Sequence, residues 1–215
     1  MRTFGFNETF YLIQAVQWTL YLSVLTFLLG GLIGFGIALM RTSASYRWRT
    51  LSSIYVQIFQ NTPLLMQLFL IYFGLSIIGL RLPALVAASI ALTFFASAFL
   101  GEIWKGCIES IPPQQSEAAD ALALTPWQRL RYVILPQSIR IATPSTVGFF
   151  VQIVKDTSLT SIVGMTELMR AANLMNNATM QPMRVFVVVC AIYFVICFPL
   201  SLLSRKLEGR LHVIR

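Results

Sequence analysis

Lys155 and Asp156 stand side by side in an otherwise apolar stretch, with Gln152 a turn earlier and Thr157 and Ser158 directly after. An ionisable side chain at the centre of a membrane helix costs about 2.5–3.5 kcal/mol on insertion scales, so the pair needs a reason. Successive helical residues point about 100° apart, so the two charges do not neutralise each other by facing. Two arrangements remain open. In one, the stretch ends near Val154 and both charges reach the interface. In the other they line a water-filled path, with Gln152 and the two hydroxyls adding donors and acceptors. Asn61 and Thr62, just ahead of Pro63, interrupt a second apolar stretch. A proline there leaves a backbone carbonyl without its helical donor, which hydrocarbon tolerates only where another group or cavity water supplies one. Asn61, Thr62, Gln152, Lys155, Asp156, Thr157 and Ser158 are therefore the candidates for a polar path.

Other chemistry has little material. Cys107, Cys190 and Cys197 form no CxxC pair and no metal-ligand spacing. Cys190 and Cys197 lie in an apolar run, where cysteine behaves as a small hydrophobe. His212 is the only histidine and sits in a charged C-terminal tail. A Ser-His-Asp triad, a His/Cys metal site and a Gly-rich phosphate loop are all missing from the pattern. The expectation is a chain that is not an enzyme, binds no cofactor or metal and hydrolyses no ATP itself.

The elements that must hold these residues are membrane helices. Hydrophobic residues make up 57% of the 215 and charged residues only 11%, against roughly half and a quarter in a soluble domain. The mean hydropathy of +0.74 agrees. These values exclude a soluble enzyme, a disordered regulator and a nucleic-acid-binding domain. Five apolar segments approach the ~20 residues that cross a hydrocarbon core: residues 11–40, 54–78, 83–104, 141–164 and 185–203. The first is too long for the h-region of a cleaved signal peptide and is taken as a retained span. The expected fold is an all-α integral membrane domain over residues 1–215 with about five transmembrane helices.

The net charge of +8 is distributed by topology. Arg41, Arg47, Arg49, Lys105, Arg129, Arg131, Arg140, Arg205, Lys206, Arg210 and Arg215 fall on one side of the membrane. Arg2, Arg81, Arg170 and Arg184 fall on the other. The positive-inside rule then puts the C-terminus in the cytoplasm and the N-terminus outside, as an odd number of spans requires. In the first span, Gly30 and Gly34 have GxxxG spacing, which suits close packing within the chain.

Residues 112–136 form a loop that is too long for a turn and too ordered for a linker. Pro112-Pro113 open a segment rich in helix formers, QQSEAADALAL. Thr125-Pro126-Trp127-Gln128 reads as a second helix start, with Thr125 as cap, Pro126 at the first helical position and Gln128 closing a capping box. That helix is expected to run to about Leu135 and stop or kink at Pro136, with a bend before it at Ala123-Leu124.

Glu117-Ala118-Ala119-Asp120-Ala121-Leu122-Ala123 with the downstream Leu135-Pro136 resembles the EAA loop of ABC importer permeases. Glu102, Lys105, Gly106, Gln115 and Pro126-Trp127-Gln128 are similar to the polar amino-acid subfamily, the histidine/glutamine type. So are Asn61-Thr62-Pro63-Leu64 with Gln67-Leu68-Phe69, and Lys155-Asp156-Thr157-Ser158-Leu159 before Glu167-Leu168. The resemblance covers about residues 11–210. It departs at three places: Ala123 replaces the family's loop glycine, Gln114 stands where glycine is usual, and Gln60-Asn61 replaces Arg-Gly. Glycine accepts a left-handed bend freely, whereas alanine there bears about 1–2 kcal/mol. Either the bend uses another geometry or the loop is strained.

The resemblance implies a permease of the type I importer kind in the bacterial inner (cytoplasmic) membrane. Its partners would be a cytosolic ABC ATPase dimer carrying ATP and Mg, a second permease subunit in a homo- or heterodimer, a solute-binding protein and an amino-acid substrate. An amino acid brings a carboxylate and an ammonium, which Lys155, Asp156 and the hydroxyls could meet. Glu117, Ala118, Ala119, Asp120, Leu122, Ala123 and Leu124 would form the coupling helix that docks into the ATPase. The alternatives are a non-transporting membrane scaffold and an ion-coupled secondary transporter.

Overall fold

The computed structural model describes residues 4–212. Arg2 and Arg215 lie outside the described residues, as do the side chains of Arg210 and His212. No strand occurs among the described residues. The helices are α1 (Phe6–Arg41), α2 (Tyr46–Gln60), α3 (Leu64–Ile77), α4 (Ala84–Glu109), α5 (Pro113–Ala121), α6 (Pro126–Arg129), α7 (Leu135–Asp156), α8 (Leu168–Thr179) and α9 (Pro182–His212). By length and composition α1, α4 and α9 can each cross a membrane, and α2 with α3 supplies a fourth crossing if taken as one bent span. α7 has the length but carries Gln137, Ser138 and Arg140 near its start and Lys155 and Asp156 at its end. It is not among the helices apolar enough to cross on that test.

The centre of the fold is the α1–α4 pair, and small residues make it close. A Cβ on Gly30 would lie 2.8 Å from the Ala96 Cβ, and one on Gly34 would lie 3.0 Å from the Ser97 carbonyl oxygen. From the other side, a Cβ on Gly101 would meet Ile37 Cγ2 at 2.7 Å. The GxxxG spacing thus serves packing within the chain, where lack of side chain lets backbones touch. Gly36 faces open space and has no such role. Where the two helices end, Arg41 pairs with Glu102, and Lys105 reaches Glu109 at 3.2 Å.

α2 lies against α4 through polar as well as apolar contacts. The Tyr55 hydroxyl and Ser97 Oγ are 2.7 Å apart, and Gln60 Nε2 donates to the Ala98 carbonyl at 3.3 Å. Val56 packs with Ile37 and Ala98. The stretch 54–78 is not one straight helix. The chain bends by 97° between α2 and α3, at Asn61-Thr62-Pro63. α3 also loosens into a π-type turn over Leu70–Gly74.

Pro136 does not end the second loop helix. The chain passes from α6 through a π-type turn, Leu130–Ile134, directly into α7. A proline lacks an N–H and crowds the carbonyl four residues earlier, and a wider turn just ahead relieves both problems. α7 therefore begins at Leu135, before the 141–164 segment. It packs Phe149 and Ile153 against Ala96 and Leu100 of α4, and Val151 and Val154 against Cys197 of α9. Beyond Asp156 the chain tightens into a 3₁₀ helix, Thr157–Val163, and turns at Gly164 with φ +87°. α8 then leads to α9.

Candidate permeation path and coupling loop

Pro63 creates the first polar break, and a single side chain repairs it. With no N–H at Pro63, the Phe59 carbonyl loses its i+4 donor. Gln67 Nε2 donates to that carbonyl at 2.9 Å, to the Thr62 carbonyl at 3.0 Å and to Thr62 Oγ1 at 2.9 Å. The Thr62 hydroxyl donates to the Ile58 carbonyl at 2.8 Å. Gln67 is buried while Asn61 and Thr62 are exposed, so the break is held from behind and presents its polar groups outward.

The second break is built on the end of α7. Gln152 and Lys155 are exposed, and Asp156 and Ser158 are half-buried. Gln152 Nε2 donates to Asp156 Oδ1 at 2.8 Å, the i,i+4 pairing of one helix face. Lys155 and Asp156 do not pair, as their spacing requires, and among the described residues no carboxylate lies within ion-pair distance of Lys155. Ser158 Oγ donates to the Lys155 carbonyl at 2.7 Å. Thr157 behaves differently from its neighbours. It is fully buried, its hydroxyl donates to the Val154 carbonyl at 2.8 Å, and it lines no open path in this chain.

The fold brings the two breaks together. Leu64 and Leu68, just after the first, share one core cluster with Val163 and Met165, just after the second, and Leu159 packs against it. α1 contributes Leu22 and α4 contributes Ala88, Ala91 and Leu92 to the same cluster. An apolar groove of about 330 Å³ lies elsewhere, among Phe35, Trp104, Ile108 and Ile139, and no charged side chain lines it. The polar groups of the breaks are thus on the outside of the single chain.

At the loop, Ala119 is buried while Glu117, Ala118, Asp120, Leu122 and Ala123 are exposed and Leu124 is half-buried. α5 ends in a Schellman motif. The Leu124 N–H donates to the Ala119 carbonyl at 3.1 Å and the Ala123 N–H to the Asp120 carbonyl at 2.9 Å. Ala123 occupies the left-handed position with φ +55°. Of the two geometries open to this bend, the chain adopts the strained one. Thr125 caps α6, and its capping box with Gln128 is formed. Arg129 closes the bend by donating to both Asp120 carboxylate oxygens at 2.7 Å. The exposed apolar side chains are Leu122, Trp127 and Tyr132.

Gln67 and Glu167 hold positions that their place in the resemblance did not indicate. Gln67 falls four residues after Pro63, on the face of the missing donor, which is a readable spacing. Glu167 caps α8: Oε1 accepts the Arg170 N–H at 2.7 Å and Oε2 the Met169 N–H at 2.9 Å. An acid directly before a new helical run is its only local signal.

Long apolar helices, two polar breaks in one bundle and a folded loop between α4 and α7 define an integral membrane protein built like the membrane component of a transport system. The chain belongs to the family described as binding-protein-dependent transport system inner membrane component, which matches residues 10–213. It is 35% identical over 193 residues to the probable glutamine ABC transporter permease protein GlnM of Bacillus subtilis strain 168, covering 90% of this chain and 89% of that one. The L-cystine transport system permease protein TcyB of the same organism is 34% identical over 197 residues, covering 91% and 84%. The fold matches the crystal structure of an amino acid ABC transporter with histidines, with a TM-score of 0.90 at 34% identity over 97% of this chain and 100% of that one.

Proposed function

We propose that this chain is the permease subunit of an ATP-driven importer of polar amino acids. The observation that carries the reading is that two polar breaks, remote in sequence, share one core and face outward from a single chain. Groups exposed in this way in hydrocarbon are costly, so a second permease subunit, identical or homologous, closes the path over them. Asn61, Thr62, Gln152, Lys155, Asp156 and Ser158 then supply donors and acceptors of both charge signs to a zwitterionic solute. Thr157 acts from within, by holding the turn. The similarity to amino-acid permeases supports the substrate class.

The coupling loop, Glu117 to Leu124, is the joint with a cytosolic ATPase dimer that binds ATP and Mg in place of this chain. Exposed Leu122 and Trp127 offer the apolar part of that joint and Glu117 the charge. The basic residues set the N-terminus outside and the C-terminus in the cytoplasm, and a solute-binding protein delivers substrate to the outer mouth.

The test is uptake into proteoliposomes holding the permease, its ATPase and its binding protein. Wild-type complex is expected to accumulate a polar amino acid only with ATP inside the ATPase-accessible compartment. Glu117→Lys is expected to abolish uptake while the chain inserts normally. Unchanged transport by that variant removes the docking assignment. Uptake driven by an ion gradient without the ATPase removes the importer reading.

A further inference from the structure

A polar network on the far side of the second break reaches four separate elements. Glu167 is fully buried, yet it lies far in sequence from every partner except its own helix. Its two oxygens take the first free N–H groups of α8, and Oε2 also accepts the Tyr193 hydroxyl of α9 at 3.2 Å. From α1, Thr19 Oγ1 accepts the N–H of Leu168, the residue next to Glu167, at 3.1 Å. The backbone carries this hold into the turn that follows α7: the Glu167 N–H donates to the Met165 carbonyl at 3.1 Å and the Met165 N–H to the Thr160 carbonyl at 3.2 Å. Thr19 and Glu167 are both fully buried, so these groups have no water to replace a lost partner.

We infer that Glu167 is a positioning residue. Held by Tyr193, and through Met165 and Thr160, it fixes where the 3₁₀ turn at the end of α7 presents Lys155, Asp156 and Ser158. A helix cap needs one carboxylate and two N–H groups. The additional bond to Tyr193 of α9 exceeds what capping requires, and the adjacent Leu168 bonds Thr19 of α1, so the segment that closes the turn is tied to two spans. The 3₁₀ geometry of Thr157–Val163 gives the turn little intrinsic rigidity, since such bonds are less well formed than α-helical ones. Its placement is therefore set from outside, by the Glu167 bonds to α8 and α9 and the Leu168 bond to α1.

This inference rests on the permease reading, and its test has one arm that does not. Native Cys107, Cys190 and Cys197 are replaced by serine, and Ser158→Cys is introduced into the full permease complex. Labelling of this cysteine by a water-soluble maleimide is followed in Glu167→Gln and Tyr193→Phe backgrounds. A Ser45→Cys probe at the α1–α2 turn serves as the remote control. At least a fivefold change at position 158 with no change at position 45 is expected in both backgrounds. Tyr193→Phe removes a single hydroxyl, so it reports even where the Glu167 variant does not fold. Unchanged labelling at position 158 in folded Tyr193→Phe complex overturns the inference. In the uptake arm, Glu167→Gln is expected to raise KM about fivefold with the maximal rate per folded complex retained. An unchanged KM in folded complex overturns it, because the turn then presents its side chains as before. If wild-type complex carries no amino acid, the permease reading fails while the labelling result still decides the role of Glu167.

Discussion

Replacing Ala123 with glycine is expected to stabilise the coupling loop. Ala123 sits at φ +55° in the left-handed position of the Schellman motif, where a Cβ costs about 1–2 kcal/mol. Glycine removes that cost but loses about 0.4–1 kcal/mol through the greater freedom of the unfolded chain. The difference favours Ala123→Gly by about 0.5–1 kcal/mol, a factor of roughly two to five in the equilibrium for opening the bend. The opening breaks two bonds that can be watched one by one, from the Ala123 N–H to Asp120 at 2.9 Å and from the Leu124 N–H to Ala119 at 3.1 Å. Hydrogen exchange at these two amides in the purified permease reports local opening. It should slow by that factor in the variant, with amides in α1 unaffected. Exchange that is unchanged or faster at both amides refutes the assignment of strain to Ala123.

The α1–α4 contact predicts a contrast within one short sequence. Gly34→Ile should lower the melting temperature of the detergent-solubilised protein, since overpacking at a backbone contact costs about 1–3 kcal/mol or more, whereas Gly36→Ala, facing open space, should hold it or raise it slightly, since alanine narrows the freedom of the unfolded chain. Gln67→Leu keeps the size but leaves the Phe59 carbonyl without a donor, at a cost of about 1–3 kcal/mol. The thermal midpoint of that variant should drop, and increased hydrogen exchange should be confined to residues flanking Pro63. A normal midpoint shows that water replaces the amide.

What could be read from the sequence was set by how local the physics is. Long apolar runs gave α1, α4 and α9, and the capping box at Thr125 and Gln128 needs only residues three apart. The bend at Ala123-Leu124 is likewise local, and the two polar breaks announce themselves as polar residues in apolar surroundings. The passage of the chain through Pro136 was not legible, because a π-type turn shows no sequence period. The setting of Glu167 depends on Tyr193, 26 positions away, and on the bond between Thr19 and the neighbouring Leu168 N–H. Such residues look ordinary until distant spans assemble around them. The adjacency of the two breaks is of the same kind, made by Leu64 and Leu68 meeting Leu159 and Val163.

The close approach of α1 and α4 has a mechanical consequence. Where Gly30 and Gly34 meet Ala96 and Ser97, backbone and Cβ atoms touch, and contacts of that kind have no rotamers to change. Arg41 and Glu102 add a bolt where the helices end. Any displacement entering at the loop after α4 is therefore passed along an inextensible strut. The compliance of the molecule is concentrated where the helices are interrupted, at Asn61–Pro63 and beyond Asp156. Those are also the places where the polar side chains of the two breaks stand, so the parts that yield are the parts that carry the polar groups.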